Sequence, residues 1–328
     1  MLCFDNPSTN PYFNLACEEY LLKNVDDEVF MLWRNEPAII VGKHQNTLAE
    51  INTEYVKDQG IKVVRRLTGG GAVFHDLGNL NFTFIKFIPL NGDQIIDFQK
   101  HTRPILDILL KLGINAKFEG RNDLTIDGKK FSGNAEHVHK HKVLHHGTLL
   151  FSAKLPDLSA ALKVDPLKFE DKAVKSVRSR VTNISEHLEQ ALTVEEFKDM
   201  VMQHIIEMYP DSKPFKLDNA AIDEVEALVE KKYATWEWNF GQSPVYNLRK
   251  GYKAAGGFIE FDLFVEKGII KELKIFGDFF NKSDIEEIEN ALKGLAHEEA
   301  VIKEKLSKFD INAYFNNFTL DDLLKAIF

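Results

Sequence analysis

The segment RRLTGGGAVFHDLGN, residues 65–79, directly follows the apolar run KVV and contains three consecutive glycines. Each glycine in regular structure costs about 1 kcal/mol relative to alanine, so such a run needs a reason. Because glycine lacks a Cβ atom, its amide N–H can approach a bound phosphate or an acyl chain. Arg65 and Arg66 can add a fork of charged donors. The alternative is a flexible surface turn, but the flanking Thr68, His75 and Asp76 favour a ligand-binding loop.

The loop does not match the common phosphate-binding motifs. GxxxxGK[ST], the phosphate loop of many nucleotide hydrolases, is absent from the sequence, and so is GxGxxG, the dinucleotide fingerprint. Any phosphate chemistry at this loop must therefore use another arrangement.

The composition describes a folded protein with a full core. Of its 328 residues 44% are hydrophobic and 28% charged, and at this length two domains are favoured over one. Lys and Arg number 41 against 50 Asp and Glu, and the net charge of −9 disfavours a general nucleic-acid binder.

The two cysteines, Cys3 and Cys17, indicate neither a disulfide framework nor a zinc site and fit a reducing compartment. No apolar run reaches about 18 residues, and the N-terminus has no basic start followed by an apolar stretch. We therefore expect a cytoplasmic protein without a signal peptide or a membrane partner.

The hydrophobic pattern predicts strands first and helices later. Helices are predicted over residues 12–24, 94–112, 193–208 and 219–233. Strands are predicted over residues 28–33, 38–42, 61–67, 80–88, 123–127, 129–133 and 145–153. This order favours an α+β fold with an antiparallel or mixed sheet flanked by helices.

A domain boundary is predicted near residues 241–256, which are rich in Gly, Pro and Ser. Beyond it, residues 258–277 predict a hairpin that turns at Lys267-Gly268, and helices are predicted near 283–292, 297–307 and 319–327. The predicted organisation is a catalytic domain over residues 1–245 and a small C-terminal α+β domain over residues 246–328.

The glycine-rich segment resembles the lipoate-binding loop of lipoate–protein ligases. Four other segments look like further blocks of that family in the same order: GRNDLTIDGKKFSGNA (120–135), HHGTLLF (145–151), SVRSRVTNI (176–184) and WEWNFGQSP (236–244). With FNLACEEYLL (13–22) they span nearly all of the large domain. The resemblance implies the fold of biotin and lipoate ligases, which is similar to class II synthetases. It also implies an enzyme that uses ATP to adenylate lipoic acid and then passes the lipoyl group to a lysine of an acceptor protein.

The same resemblance implies the residues that bind and react. Lys130 matches the catalytic lysine that bridges the α-phosphate and the acyl carbonyl oxygen, whereas taken alone it would be a solvated strand lysine. ATP or lipoyl-AMP is implied to contact Arg66, Gly71, Ala72, Val73, Phe74, His75, Asn122, Asp123, Lys130, His146 and Thr148. The implied lipoate-binding loop and its surroundings comprise Arg66, Thr68, Gly69, Gly70, Gly71, Lys130, Ser132 and Gly133.

Two further elements of the site are expected. Asp123 suits a Mg²⁺ ion that arrives with ATP, although GRND alone would be an ordinary turn. A loop that closes over the adenylate, and protects it from water, is implied for Lys175, Ser176, Val177, Arg178 and Arg180. Taken alone, that loop would be an exposed charged segment.

Histidines at positions 137, 139, 141, 145 and 146 raise the question of a metal site, because alternate residues of a strand face one way. We do not favour a metal, since no other ligands are arranged with them beyond Glu136. The resemblance makes this stretch a connection into the next strand. His146 and Thr148 are expected to line the pocket, and the other histidines are expected to be solvated.

Other functions remain open at this point. An ATP-independent lipoyl or octanoyl amidotransferase needs a pocket cysteine, for which Cys17 in a predicted helix is a poor candidate. A non-catalytic lipoate- or adenylate-binding protein would not need Lys130, Asn122 and Asp123, and the GRGRxGR loop of biotin ligases is absent. Leu67 and Asn134 stand where related ligases carry small residues, so a preference for lipoate over octanoate is not decided.

The resemblance also implies the partners. The expected acceptors are lipoyl domains of 2-oxoacid dehydrogenase acyltransferase subunits and the glycine cleavage H protein. We expect a monomer that acts on these proteins without a nucleic-acid partner.

Overall fold

The computed structural model describes residues 1–45, 47–88, 97–155, 157, 161–162, 181–240, 248–266, 269–297 and 299–328. Three predicted features lie outside these ranges: the adenylate-closing residues Lys175, Ser176, Val177, Arg178 and Arg180, the turn at Lys267-Gly268, and residues 241–247 of the predicted boundary.

A mixed sheet forms the centre of the large domain. Its strands, with those of a smaller sheet, are β1 Leu2–Asp5, β2 Val29–Trp33, β3 Ala38–Val41, β4 Lys62–Arg65, β5 Val73–His75, β6 Asn79–Phe87, β7 Lys117–Glu119, β8 Asp123–Ile126, β9 Lys129–His139, β10 Lys142–Leu150 and β11 Lys213–Pro214. The described strands form one eight-stranded sheet in the order β11-β1-β2-β6-β10-β9-β8-β7 and one three-stranded sheet in the order β4-β3-β5. β1 is parallel to β2 and β11, whereas β2, β6, β10, β9, β8 and β7 pair antiparallel.

Helices cover both faces of the large sheet. They are α1 Pro11–Asn24, α2 Thr47–Glu50, α3 Thr53–Asp58, α4 Phe98–Lys111, α5 Val194–Met208, α6 Asn219–Leu228 and α7 Trp236–Asn239. Alternate residues of β2 show why two cores form, since Phe30 and Leu32 pack with α4 and α5, while Met31 and Trp33 pack with α1. α1 begins at Pro11, one residue before its predicted start, and is capped by Asn10, whose side chain accepts the Tyr12 N–H at 3.1 Å.

The small C-terminal domain has its own sheet and core. Its elements are β12 Leu248–Ala254, β13 Gly257–Glu266, β14 Ile269–Gly277, α8 Ile285–Leu292, α9 Glu299–Leu306, α10 Ile311–Tyr314 and α11 Leu320–Ile327. The three strands are antiparallel, and Phe261, Phe279 and Phe315 are fully buried in the apolar core beneath them. The predicted α+β class, with a large mixed sheet and a small C-terminal domain, is therefore confirmed.

Three predicted elements were wrong in their extent. The helix predicted over 219–233 ends at Leu228 and continues as a π-helical turn over Val229–Tyr233. The strand predicted over 129–133 runs on to His139, because β9 pairs with β10 along its length, so these residues are not a connection. Residues 248–254, predicted to lie in the domain boundary, form the edge strand β12. Among the described residues, no helix has both the length and the apolar character needed to cross a bilayer.

Candidate active site

A cleft opens on the α1 side of the large sheet and encloses about 620 Å³ of empty space, including solvent at its mouth. A volume of this order suits a small-molecule ligand. Its walls come from α1, β2, β3, β6, β9, β10, the residue that precedes β8, and the glycine-rich segment with β5. The lining residues are Leu15, Trp33, Ile40, Arg66, Gly70, Gly71, Ala72, Val73, His75, Asn81, Asn122, Lys130, Gly133, Asn134, Ala135, His146, Gly147 and Thr148.

Arg66 shapes the glycine-rich loop from inside. Its guanidinium donates to the carbonyl oxygens of Gly69 at 2.7 Å, Gly71 at 2.8 Å and Ile40 at 3.0 Å. Burial lowers the pKa of Arg66 to about 10, so the group stays charged at neutral pH. The triple-glycine bend is thus folded around a buried cation, which also lines the cleft.

Arg65 does not supply the charged fork that the sequence suggested. It is 1% exposed, and its guanidinium donates to Gly42 O at 2.9 Å, Gln45 O at 2.7 Å and Asn239 O at 3.2 Å. Adjacent residues of an extended chain point to opposite faces, so Arg65, the last residue of β4, is directed away from the cleft that Arg66 lines. Its function is to join β4 to α7 and to the loop after β3.

Lys130 lies near the start of β9 and lines the same cleft as Arg66. Its ammonium is 2.7 Å from Asp123 Oδ1, and the two side chains are 39% and 37% exposed, which places the pair at the solvent-accessible rim. Gly133 leaves space for this side chain, since a Cβ there would be 3.0 Å from Lys130 Nζ. The cleft therefore combines an accessible ammonium with a buried guanidinium.

A buried hydrogen-bond chain connects the glycine-rich loop to α1. Arg66 Nε donates to Thr68 Oγ1 at 2.9 Å, and Thr68 lies 2.8 Å from His146 Nε2. His146 Nδ1 is 2.9 Å from Glu18 Oε1, which also accepts from Thr83 Oγ1 at 2.6 Å. Because a carboxylate only accepts, His146 donates from Nδ1 and accepts the Thr68 hydroxyl at Nε2. Glu18 thereby positions His146, which in turn holds the loop.

We expect Glu18→Ala to weaken ligand binding in the cleft as well as the fold. The substitution leaves two buried donors, His146 Nδ1–H and the Thr83 hydroxyl, without their acceptor. Each costs about 1–3 kcal/mol, so the free energy of unfolding should fall by that order. The KM for the substrate that binds in the cleft should rise, because His146, the partner of Thr68, is no longer held in place. Urea unfolding and initial-rate kinetics measure the two effects.

Glu19 provides the matched control, because it is equally buried but points away from the cleft. Its carboxylate accepts from Lys232 and Tyr233, each at 2.7 Å, and these interactions hold its pKa at about 2 despite burial. Glu19→Ala should lower stability while leaving the KM for the substrate that binds in the cleft unchanged. An equal rise in KM for both variants would contradict a specific link from Glu18 to the loop.

The structure brings most of the predicted site residues into one cleft. Those that line it are Arg66, Gly70, Gly71, Ala72, Val73, His75, Asn122, Lys130, Gly133, His146 and Thr148. Five others do not line it: Thr68, Gly69, Phe74, Asp123 and Ser132.

Local geometry explains the five exceptions. Phe74 points to the opposite face of β5 from Val73 and His75 and packs in a separate apolar cluster. Thr68 contacts the cleft through His146, and Asp123 contacts it through Lys130. Gly69 faces the small domain, and Ser132 is buried beside Asn134.

Much of the apolar wall was not predicted, and Asn134 was predicted only as a residue that could affect the fit of the acyl tail. The residues not assigned to the site are Leu15, Trp33, Ile40, Asn81, Asn134, Ala135 and Gly147. Asn81 pairs with Thr148 across β6 and β10, so the register of these two strands, which the sequence does not show, brings Asn81 to the cleft. Asn134, noted in the sequence as a departure from related ligases, lies in the wall, whereas Leu67 packs in the core beside α1.

The prediction that the other histidines are solvated was wrong for His145, which is fully buried. Both faces of β10 are covered, so His145 packs under α4 while His146 faces the cleft. His101 Nδ1 and His145 Nδ1 lie 3.0 Å and 2.9 Å from Glu136 Oε1, and burial lowers the pKa of His145 to about 4. This trio is the one group of potential metal ligands found among the described residues, and hydrogen bonds to a shared carboxylate account for its geometry.

Neither cysteine lines the cleft. Cys17 is fully buried within α1, and burial raises the pKa of its thiol well above the ordinary value, with the charge of Glu18 adding to the effect. Cys3 is also buried, and burial raises the pKa of its thiol. Both thiols are thus protonated at neutral pH and unsuited to act as nucleophiles.

A cleft with an apolar closed end, an accessible lysine and a glycine-rich bend around an arginine defines a small-molecule site suited to a carboxylic acid with an apolar tail. The chain belongs to the lipoate–protein ligase family: the family model "Lipoyl protein ligase A/B catalytic domain" matches residues 10–206, and "Bacterial lipoate protein ligase C-terminus" matches residues 243–327. The lipoate–protein ligase LplJ of Bacillus subtilis is 44% identical over 100% of both chains. Lipoate–protein ligase 1 of Staphylococcus aureus is 42% identical over 98% of both chains.

Solved structures extend the likeness to the whole fold. P. falciparum LipL1 in complex with lipoate aligns with a TM-score of 0.83 at 28% identity, covering 98% of both chains. A lipoate–protein ligase A bound with ATP aligns with a TM-score of 0.63 at 28% identity over 73% of this chain and 97% of that one. A bipartite lipoate protein ligase of Thermoplasma acidophilum, studied with its E2 lipoyl domain, aligns with a TM-score of 0.65 at 30% identity, covering 75% and 98%.

Proposed function

We propose that this protein is an ATP-dependent lipoate–protein ligase that forms lipoyl-AMP and transfers the lipoyl group to a lysine of an acceptor domain. The observation that carries the proposal is the convergence of Lys130 and the Arg66-centred glycine bend on one cleft with an apolar closed end. Lipoate is bound in one solved relative and ATP in another, which supports both substrates.

The first half-reaction joins two anions, and the residues of the cleft suit that task. An oxygen of the lipoate carboxylate attacks the α-phosphorus of ATP, the bond to pyrophosphate breaks, and lipoyl-AMP remains. The Lys130 ammonium is the accessible cation at the rim, placed to offset the charge on the α-phosphate and the acyl oxygen. The apolar tail extends towards Leu15, Trp33 and Ile40, each at most 2% exposed.

The second half-reaction needs no nucleophile from the enzyme. The acceptor lysine attacks the carbonyl carbon of lipoyl-AMP as a neutral amine, AMP leaves, and an amide forms as the amine loses its proton. Holding the anhydride at the mouth of the cleft supplies orientation. We propose lipoyl domains of 2-oxoacid dehydrogenase complexes and the glycine cleavage H protein as acceptors, and a monomeric, cytoplasmic enzyme.

Asp123 fits a Mg²⁺ ion that accompanies ATP. Mg²⁺ is commonly held by one or two protein carboxylates together with substrate phosphates and water. Asp123 offers one partly exposed carboxylate beside Lys130, and Asn122 lines the adjacent wall. Bound Mg²⁺ would neutralise part of the charge of the triphosphate, and Asp123 would hold it.

We expect an acceptor lipoyl domain to gain one lipoyl group, seen by mass spectrometry, only when the protein, lipoate and ATP are all present. Pyrophosphate release should depend on lipoate in the same reaction. Cys17→Ala should ligate like the unaltered protein, because this thiol is buried away from the cleft. Equal modification without any nucleotide, or its loss in Cys17→Ala at unchanged stability, would favour an amidotransferase instead.

A further inference from the structure

A chain of buried amides runs from the N-terminal segment to the wall of the cleft. The backbone N–H of Ser8 donates to Asn6 Oδ1 at 3.1 Å, so Asn6 Nδ2 donates to Asn14 Oδ1 at 3.0 Å. Asn14 Nδ2 then donates to Asn35 Oδ1 at 2.8 Å, which leaves Asn35 Nδ2 facing His75 Nδ1 at 3.1 Å. Because a backbone N–H can only donate, it fixes the direction of every later hydrogen bond.

A second anchor fixes the same direction in the middle of the chain. The two hydrogens of Asn14 Nδ2 are shared among Asn35 Oδ1 and the carbonyl oxygens of Ser8 at 3.0 Å and Arg34 at 2.9 Å, which can only accept. The orientation of the Asn14 amide therefore does not depend on Asn6 alone. Asn14 and Asn35 are both fully buried, so water does not compete for these groups.

The chain determines which nitrogen of His75 carries the proton. Asn35 donates to Nδ1, so the neutral imidazole is protonated at Nε2. Burial, reinforced by the charge of Arg66, lowers the pKa of His75 to about 3, which keeps the ring neutral at neutral pH. His75 lines the cleft at 3% exposure, and its Nε2 has no hydrogen-bond partner within the described chain. A buried donor normally has a partner, which leaves the bound ligand to supply one.

The position of His75 indicates which part of the ligand it meets. Lys130 is 39% exposed at the rim of the cleft, whereas His75 is 3% exposed in its buried wall, with its ring centroid 6.0 Å from that of Trp33. A carboxylate held near Lys130 directs the tail of the acid towards His75. A dithiolane tail presents sulfur atoms, which are weak hydrogen-bond acceptors, whereas a plain alkyl tail presents none.

We propose that His75 is a specificity-determining residue that donates its Nε2–H to a ring sulfur of lipoate and thereby selects lipoate over a saturated acid such as octanoate. The inference rests on the proposed function, because it concerns the acid that the same cleft activates. A site that offers a buried donor discriminates against an analogue that lacks the acceptor.

The test is Asn35→Asp, which changes the proton on His75 without altering any atom that lines the cleft. The new carboxylate can only accept, so it takes the proton from Nδ1 and leaves Nε2 of the neutral ring as an acceptor. Nitrogen-15 NMR of the unliganded protein at pH 8 should find His75 protonated at Nε2 in the unaltered protein and at Nδ1 in the variant. In pyrophosphate release, kcat/KM for lipoate should fall by about tenfold while that for octanoate stays constant.

Asn6→Ala is the matched control on the same chain. The carbonyls of Ser8 and Arg34 still orient Asn14 in this variant, so the His75 proton and the lipoate-to-octanoate ratio should stay unchanged although stability falls. His75→Phe removes the donor directly and should reduce the ratio like Asn35→Asp.

Three results would overturn the proposal. They are a His75 protonated at Nδ1 in the unaltered protein, a switched proton with an unchanged ratio, and an equal loss of activity with both acids. Absence of pyrophosphate release with either acid in the unaltered protein would instead contradict the proposed function. The NMR measurement of the His75 proton does not depend on that activity.

Discussion

Lys130→Ala should reduce lipoate-dependent pyrophosphate release by about 10²–10³-fold, the loss typical of removing one group that stabilises transition-state charge. Lys130 is an accessible cation beside the position proposed for the α-phosphate, whereas the Arg66 donors are occupied by backbone carbonyls of the glycine-rich loop and of Ile40 in β3. The fold should be unaffected, because the ion pair with Asp123 is partly exposed and such pairs contribute about 0–1 kcal/mol.

Lys129→Ala is the control for Lys130→Ala, since Lys129 precedes it on β9 and is exposed without lining the cleft. This variant should release pyrophosphate at the rate of the unaltered protein. Lys130→Arg should recover only part of the activity, because a planar guanidinium does not reproduce a compact ammonium. Single-turnover formation of lipoyl-AMP measures the step directly. Unimpaired formation in Lys130→Ala would remove the residue from the mechanism.

The sequence predicted the parts of the site that local patterns encode. The glycine run and its arginines indicate a ligand loop, and a resemblance across several segments indicates which lysine to examine. Strand alternation alone is enough to separate Phe74 from the site. Along β5 it directs Val73 and His75 to one face and Phe74 to the other. The catalytic and binding roles of these residues remain predictions.

Contacts between distant segments could not be predicted. His145 looks solvated in a polar, histidine-rich stretch, and only the packing of α4 over β10 buries it beside His101 and Glu136. The sequence also gives no indication that Arg65 donates hydrogen bonds to backbone carbonyls of α7, more than 170 residues away along the chain. Hydrophobic patterns report which face is covered, whereas the partner that covers it is set by the tertiary fold.

Gly69 is another example of a contact that the sequence does not show. The small domain packs against this position and leaves no room for a side chain. The docking segment, residues 277–281, contacts the glycine-rich loop where the Gly70 N–H donates to Phe279 O at 3.4 Å, and its Gly277 N–H donates to His44 O in the loop after β3 at 2.7 Å. A Cβ at Gly69 would lie 2.1 Å from Phe279 O, far inside van der Waals contact. Phe279 is fully buried in the core of the small domain, so its backbone has little freedom to move away.

Gly69→Ala should therefore push the docking segment off the loop. Forced overpacking of this kind costs about 1–3 kcal/mol or more, and misplacing a binding loop by about 1 Å can cost about 10²-fold in rate. We expect a lower melting temperature, a larger radius of gyration by small-angle scattering, faster hydrogen exchange at the Gly277 amide and slower lipoyl-AMP formation.

Gly71→Ala tests whether that effect is specific to the domain contact. A Cβ at Gly71 meets no atom of the described chain within 4 Å, so this variant should keep the melting temperature and the scattering profile of the unaltered protein. The two substitutions add the same methyl group to the same glycine run and differ in what that group contacts. If Gly69→Ala matches Gly71→Ala in stability and in scattering, the glycine at position 69 is not required for docking of the small domain.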